Sequence, residues 1–239
     1  MPASNLCKNL LRRLGIVIVR SHNAAVKYID APPNGIFDVV LHRVFAKLGC
    51  LRFIQIGAND GIRGDPIREK VFNYGWTGVL VEPLPPLFAE LKRNYANQPG
   101  LEFINAAVDV SPGVRTIHFL RPGLATFDLS RLQKTTRELG GQDGDILHQD
   151  VETVTWDRLL AVFGSKPCDV LVIDSEGYDI TLLRAAPLDR WRPRVILFEH
   201  SCAPATERLA YYGELIRLGY EIASDGPDTV AWLKKEEPS

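Results

Sequence analysis

Three carboxylates fall within the short run Asp174-Ser175-Glu176-Gly177-Tyr178-Asp179, and a further acid and base, Glu199-His200, follow downstream. Acids packed this closely can take a proton from a hydroxyl, hold a divalent ion, bind the polar groups of a substrate, or cap a helix. His200 is a candidate general base, because an ordinary imidazole pKa near ~6.5 lets it accept a proton at neutral pH. Asp174 and Glu176 are candidates for the same work, and Asp179 is assigned to capping the helix that follows. No metal site is predicted, although the acids would tolerate a divalent ion.

A second group of residues has the spacing of a nucleoside site. Gly57-Ala58-Asn59-Asp60-Gly61 follows an apolar run, and the missing side chains at Gly57 and Gly61 let a ligand lie close to the backbone. Glu82 directly follows Gly78-Val79-Leu80-Val81, about 20 residues beyond that turn, where a carboxylate can accept both hydroxyls of a ribose. In Asn105-Ala106-Ala107-Val108-Asp109 the small residues leave room for an adenine ring, and Asn105 can bond its edge. The cofactor-binding candidates are therefore Gly57, Ala58, Asn59, Gly61, Glu82, Asn105 and Ala106, with Asp174 at the rim. The plainer readings are glycines kept for steric reasons, alanines packed beneath a helix and a structural histidine.

The elements that must position these residues alternate. Strands are expected over 51–56, 78–81, 102–108, 169–173 and 194–198, with helices over 66–74, 86–95, 156–163, 180–186 and 207–218. Asp65-Pro66 marks a helix start, since the acid can accept from first-turn amides and proline has no amide to leave unpaired. Such alternation forces a mostly parallel, Rossmann-like α/β sheet that binds its ligands beyond the carboxyl ends of the strands. Two final runs, 220–223 and 229–233, flank Asp225-Gly226-Pro227-Asp228 and read as a C-terminal antiparallel hairpin.

Residues 1–48 read as a helical leader packing on the domain, with an amphipathic segment at 6–14, a break at Pro32-Pro33-Asn34-Gly35 and a helix over 36–48. The domain proper spans 49–239. Within it, periodicity weakens over 111–144, apart from a short strand at 115–120, and this stretch reads as an irregular insertion, mobile or substrate-facing.

Composition limits the partners. The chain has 239 residues with 28 basic and 29 acidic side chains, so no broad positive field exists to gather a nucleic acid. The amino-terminal Lys8, Arg12, Arg13, Arg20 and Lys27 could touch an acidic membrane surface, or form a solvated helix face. The apolar run at 14–19 is too short to span a bilayer and lacks a signal-peptide pattern, so a cytoplasmic location is expected. The scattered cysteines form neither a disulfide framework nor a zinc site.

The turn and the tail bear on the cofactor. A dinucleotide turn usually places glycine where Asn59 stands, and Asn59 crowds a diphosphate. An antiparallel pair after a fifth parallel strand is the arrangement of class I methyltransferases, which makes S-adenosylmethionine the leading candidate. A nucleotide-dependent dehydrogenase or epimerase, or a non-catalytic binding module of the same fold, is the alternative.

Taken in order, FIQIGANDG (53–61), VLVEP (79–83), INAAV (104–108), VTWDRLL (154–160), DVLVIDSEGYDITLLRAA (169–186) and VILFEH (195–200) resemble the FkbM-type methyltransferase family. The resemblance implies a class I methyltransferase fold, S-adenosylmethionine as donor, and O-methylation of hydroxyls on sugars, glycolipids or other small natural products. By position it implies that Gly57, Asn59 and Gly61 line the methionine part of the donor and that Glu82 holds its ribose. Asp174, Glu176 and His200 would face the acceptor. Two positions depart from the family pattern: Gln55 stands where aspartate is common, and Ser175 stands within a motif that often reads IDVEG.

Overall fold

The structure is a computed structural model that describes residues 19–20, 26–27, 35–45, 48–121 and 124–233. The expected amphipathic segment at 6–14 and most of the basic amino terminus lie outside the described residues. Within the leader, β1 (Val19–Arg20) and β2 (Val26–Lys27) pair antiparallel, where helix alone was expected. α1 (Ile36–Val44) is shorter than the 36–48 prediction, because Phe45 turns extended after its N–H bonds the Leu41 carbonyl. Its Phe37, Val40, Leu41 and Val44 recur at helical spacing and are buried, so the end of the leader is part of the core.

The central sheet takes β3 (Arg52–Ile56), β4 (Thr77–Val81), β5 (Leu101–Ile104), β10 (Val170–Ile173), β11 (Val195–Glu199), β12 (Tyr220–Asp225) and β13 (Asp228–Leu233) in the order β12-β13-β11-β10-β3-β4-β5. β5, β4, β3, β10 and β11 are parallel neighbours. Their residues alternate between two buried faces. Phe53, Val170, Val172 and Val195 point toward α1 and α2 (Arg68–Tyr74). Ile54, Ile56, Leu171, Ile173 and Phe198 point toward the other face, with Trp156, Leu159 and Phe163 of α5 (Trp156–Phe163). Burial on both faces is why these strands read as continuous apolar runs. α3 (Pro85–Asn94), α6 (Asp179–Ala185), α7 (Leu188–Trp191) and α8 (Ala205–Arg217) complete the layers.

The carboxyl-terminal pair differs from a simple edge hairpin. β13 inserts between β11 and β12 and is antiparallel to both, so β12 at the edge runs in the direction of the parallel strands.

The larger difference lies at 105–154. The strand predicted over 102–108 is two strands: β5 ends at Ile104, and Asn105-Ala106 carry the chain into β6 (Ala107–Val108) of another sheet. That sheet has the order β6-β9-β7-β8, with β7 (Gly113–Arg121), β8 (Leu124–Thr126) and β9 (Leu147–Val154). α4 (Leu129–Glu138) lies between β8 and β9. The expected irregular insertion is thus a second sheet with its own small core of Leu84, Leu87, Ala107, Ile117 and Val151. Among the described residues no helix is long and apolar enough to cross a membrane.

Candidate active site

The carboxyl ends of β3, β4 and β10 meet at Gly57. Its amide and that of Ala58 both donate to the Val81 carbonyl, at 3.0 Å each. A Cβ on Gly57 would stand 1.8 Å from the Asp174 carbonyl oxygen, and its φ is +79°, so only glycine lets the two strand ends approach. Gly61 is glycine for another reason: a Cβ there would strike Tyr95 and Leu91 at 2.6 and 2.7 Å.

A cleft of about 680 Å³ opens from this junction toward the second sheet. Gly57, Asn59, Glu82, Ala106, Asp174, Glu176 and Tyr178 line it, and the far wall is Ile117, Ala125, Thr126 and Phe127. Among the described residues, no lysine or arginine lines it. Glu82 is buried and accepts backbone N–H groups at both oxygens, from Asn59 at 3.0 Å and Leu84 at 2.9 Å. Burial pushes its carboxyl up to about 7, against the pull of those two bonds and with Asp174 and Asp60 adding repulsion.

Asp174 and Glu176 follow at the end of β10. Burial pushes Asp174 up to about 6, with Glu199 and Asp228 adding like charge. Glu176 is pushed up to about 7 by burial and then by Asp174 and Glu199, and Arg131 opposes the shift. Glu176 has φ +50°, a strained conformation for a residue with a side chain. Arg131 on α4 donates to its carbonyl at 2.5 Å and lies 3.7 Å from its carboxylate, and Gly177 leaves room for the guanidinium.

Asp179 does not cap α6. Its carboxylate turns back to accept from the Ser175 hydroxyl at 2.9 Å, the Gly177 amide at 3.3 Å and the Glu199 amide at 3.2 Å. The hydroxyl at the departure Ser175 therefore closes the acidic turn, at a residue that also lines the cleft. Asn105 also has a bracing role, with its amide donating to the carbonyls of Glu82 at 2.9 Å and Pro83 at 3.0 Å, so its N–H groups do not point at an adenine edge.

The expected residues divide among several places. Gly57, Asn59, Glu82, Ala106, Asp174 and Glu176 line the cleft; Gly61, Asn105 and His200 do not. Gly57, Ala58, Asn59 and Asp174 line a second cavity on the α2 side of the same strand ends. His200 is buried at the end of β11, with Nδ1 2.8 Å from the Thr229 hydroxyl and the ring edge-on to Tyr212. Burial and then Arg208 lower its pKa. Glu176, Glu199 and Cys202 bring ligand-type atoms within 4.8 Å of one another.

Residue patterns gave no warning of the brace beside the cleft. Asp109, at the end of β6, pairs with Arg115 at 2.7 Å and accepts from the Tyr178 hydroxyl at 2.8 Å. The Arg115 guanidinium lies 3.9 Å from the centre of the Phe127 ring. Tyr178 stands inside one motif and Asp109 directly after another, but no local spacing brings the two together with Arg115.

The strand order, with one reversed strand between the fifth parallel strand and the edge, and the ligand cleft at the carboxyl ends define a class I methyltransferase fold. The family pattern described as the methyltransferase FkbM domain matches residues 55–231, and the chain belongs to that family. No match is found among curated proteins. Among solved structures the chain is similar to the methyltransferase FkbM from Methylobacillus flagellatus KT, with 11% identity, 77% of this chain and 43% of that one covered, and a TM-score of 0.47. It is also similar to the delta-N METTL16 MTase domain, at 14% identity over 97% and 94% of the two chains with a TM-score of 0.46. A third is the precorrin-6y C5,15-methyltransferase from Geobacter metallireducens GS-15, at 13% identity over 91% and 94% with a TM-score of 0.43.

Proposed function

We propose that the protein transfers a methyl group from S-adenosylmethionine to a hydroxyl of a sugar, glycolipid or other small natural product. The carrying observation is the pairing of buried Glu82 with the Asn59 backbone on the floor of a cleft that has carboxylates and apolar walls but, among the described residues, no lysine or arginine. A dinucleotide brings a diphosphate that needs cations or free amides, whereas the sulfonium donor is a nucleoside without phosphate, so the lining fits it. Glu82 would hold the ribose, the Gly57–Asn59 turn the adjoining chain, and Ala106 and Leu87 the adenine. When bound, that donor supplies an electrophilic methyl group on sulfur.

The chain's own part is orientation and proton removal. Asp174 lines both cavities, and with its carboxyl pushed up to about 6 it can accept a hydroxyl proton above that pH. Glu176 is the neighbouring acid, held by Arg131, and His200 is the rival base one strand over. No metal is assigned to the reaction, and turnover is expected to survive chelation.

Calorimetric titration with S-adenosylhomocysteine and with NAD separates the readings. Binding of the first alone is expected. Binding of NAD alone would replace the proposal with the dehydrogenase or epimerase reading, and binding of neither would leave a non-catalytic module.

A further inference from the structure

Glu176 lines the cleft from outside the sheet. β10 ends at Ile173, and the last bond between its tip and β3 runs from the Asp174 amide to the Ile56 carbonyl. Past that point the backbone turns, and the φ of +50° at Glu176 is one that a residue with a side chain keeps only where its surroundings hold it. Buried Asp179 closes the turn on either side, accepting from the amides of Ser175 and Gly177 at 3.3 Å each.

Arg131 holds the turn from the opposite wall. Its Nη1 donates to the Glu176 carbonyl and its Nη2 lies 3.7 Å from the Glu176 carboxylate, so one planar fork spans the backbone and the side chain of the same residue. Gly177 admits the fork, because a Cβ there would stand 1.9 Å from Nη1. The helix that carries Arg131 is itself fixed to the cleft. Thr126 and Phe127 line it, the Thr126 hydroxyl accepts from the Asp128 amide at 3.1 Å, and the Asp128 carboxylate caps α4 by accepting from the Arg131 amide at 3.0 Å. A short run of capped backbone thus leads from the second wall, through Arg131, to an acid of the first. Around that acid stand Asp174, Asp179, Glu199 and Cys202. Burial and the three carboxylates disfavour its ionised form, and Arg131 opposes them.

We propose that Arg131 is a positioning residue of the site: from α4 it grips the backbone and carboxylate of Glu176 and so keeps that acid at the cleft. Released from the grip, residue 176 relaxes toward negative φ and its side chain turns off the wall. Only the identity of what the carboxylate meets, the sulfonium of the donor, depends on the proposed methyl transfer.

The test compares wild type with Arg131→Lys, which keeps the charge but cannot span both acceptors, and with Arg131→Gln, which loses both. Thermal melts check that each folds. Without any ligand, exchange of the Ser175 and Gly177 amides is expected to be about tenfold faster in both variants, with the amides of β10 unchanged. With ligand, calorimetry gives the affinity for S-adenosylmethionine relative to S-adenosylhomocysteine, which lacks the methyl group and its positive charge. A carboxylate moved off the cleft lowers that ratio about tenfold in both variants. Wild-type exchange in Arg131→Gln would overturn the proposal. So would a ratio that rises in Arg131→Gln and stays put in Arg131→Lys, which is the mark of a charge without a positioning role. Should wild type bind neither nucleoside, the donor reading fails, while exchange at Ser175 and Gly177 still decides the grip.

Discussion

The two walls of the cleft are built on different principles. On one side the tips of β3, β4 and β10 meet backbone to backbone, and they carry the charged groups Glu82, Asp174 and Glu176 on strands buried on both faces. On the other side the second sheet offers Ile117, Ala125 and Phe127, fixed by the Asp109–Arg115 ion pair, the Tyr178 hydroxyl, the Arg115 guanidinium over the Phe127 ring and an edge contact between Phe127 and Tyr178. A wall made of close backbone contacts has no slack, whereas a wall made of side chains on a smaller core can be varied. Under the proposed function, the first wall would carry the shared chemistry and the second the choice of acceptor.

The largest effect that would break this contrast concerns paired glycines. Gly57→Ala puts a methyl group 1.8 Å from a backbone oxygen at φ +79°, and the cost is expected to be on the order of 3 kcal/mol or more, with both cavities lost. Gly140, just past α4, has φ +80° but nothing within 4 Å of a built Cβ, so Gly140→Ala is expected to cost only about 1 kcal/mol. Urea unfolding of the two variants measures this directly, and equal costs would remove the distinction. Next in size is Glu82→Ala, which strands the amides of Asn59 and Leu84 and is expected to weaken S-adenosylhomocysteine on the order of 100-fold. Unchanged affinity would end the donor reading.

The same contrast explains what could be read from the sequence. Strands buried on both faces leave continuous apolar runs, so β3, β4, β10 and β11 were legible, and so were the acids at their ends. Of the inserted sheet, the strand expected at 115–120 was legible, within β7, but its pairing was not. β7 and β9 alternate partly exposed residues, and their pairing joins positions such as Arg115 and Val151 that no local window connects. Asp179 was misread because a carboxylate at the first residue of a helix has the pattern of a cap, while its bonds run back to Ser175, Gly177 and the next strand. Gln55 stood out only as a departure from a motif. That its side-chain oxygen is buried and unpaired depends on α2 and β10, which the sequence does not place.

Acidity should separate the walls as well. Glu82, Asp174, Glu176 and Asp179 are all raised above their ordinary values, to between about 6 and about 7. Between roughly pH 4 and pH 7 the folded chain therefore keeps protons that the unfolded chain has released, and stability from these groups falls as pH rises through that window. Asp109 in the brace is lowered instead: burial raises it, but the bonds from Arg115 and Tyr178 prevail. Its contribution is present above about pH 4 and is lost only at more acid pH. Thermal melts are expected to show a higher midpoint at pH 5 than at pH 8, with Asp174→Asn narrowing the gap and also lowering turnover. A midpoint that climbs steadily from pH 5 to pH 8 would contradict the crowding of acids at the strand tips.

A smaller change is expected at the second wall. Phe127→Ala removes the ring beneath the Arg115 guanidinium and the edge contact to Tyr178, while leaving Glu82 and the glycine turn untouched. Acceptor KM is expected to rise about tenfold, with affinity for S-adenosylhomocysteine within about threefold of wild type. The opposite split would mean that the second sheet holds the donor.

The smallest effect is expected at His200, and it sharpens the comparison because this residue belongs to the first wall by sequence but not by position. His200→Ala removes a hydrogen bond to Thr229 and an aromatic edge contact, while Thr229 keeps its 2.6 Å bond to the Tyr212 hydroxyl. The stability loss should be about 1 kcal/mol, with turnover within about threefold. A base at this position would instead be worth about 10²- to 10⁴-fold in rate. Turnover falling that far, with the melt and the donor affinity intact, would move proton removal from Asp174 to His200 and require the acceptor to approach along β11.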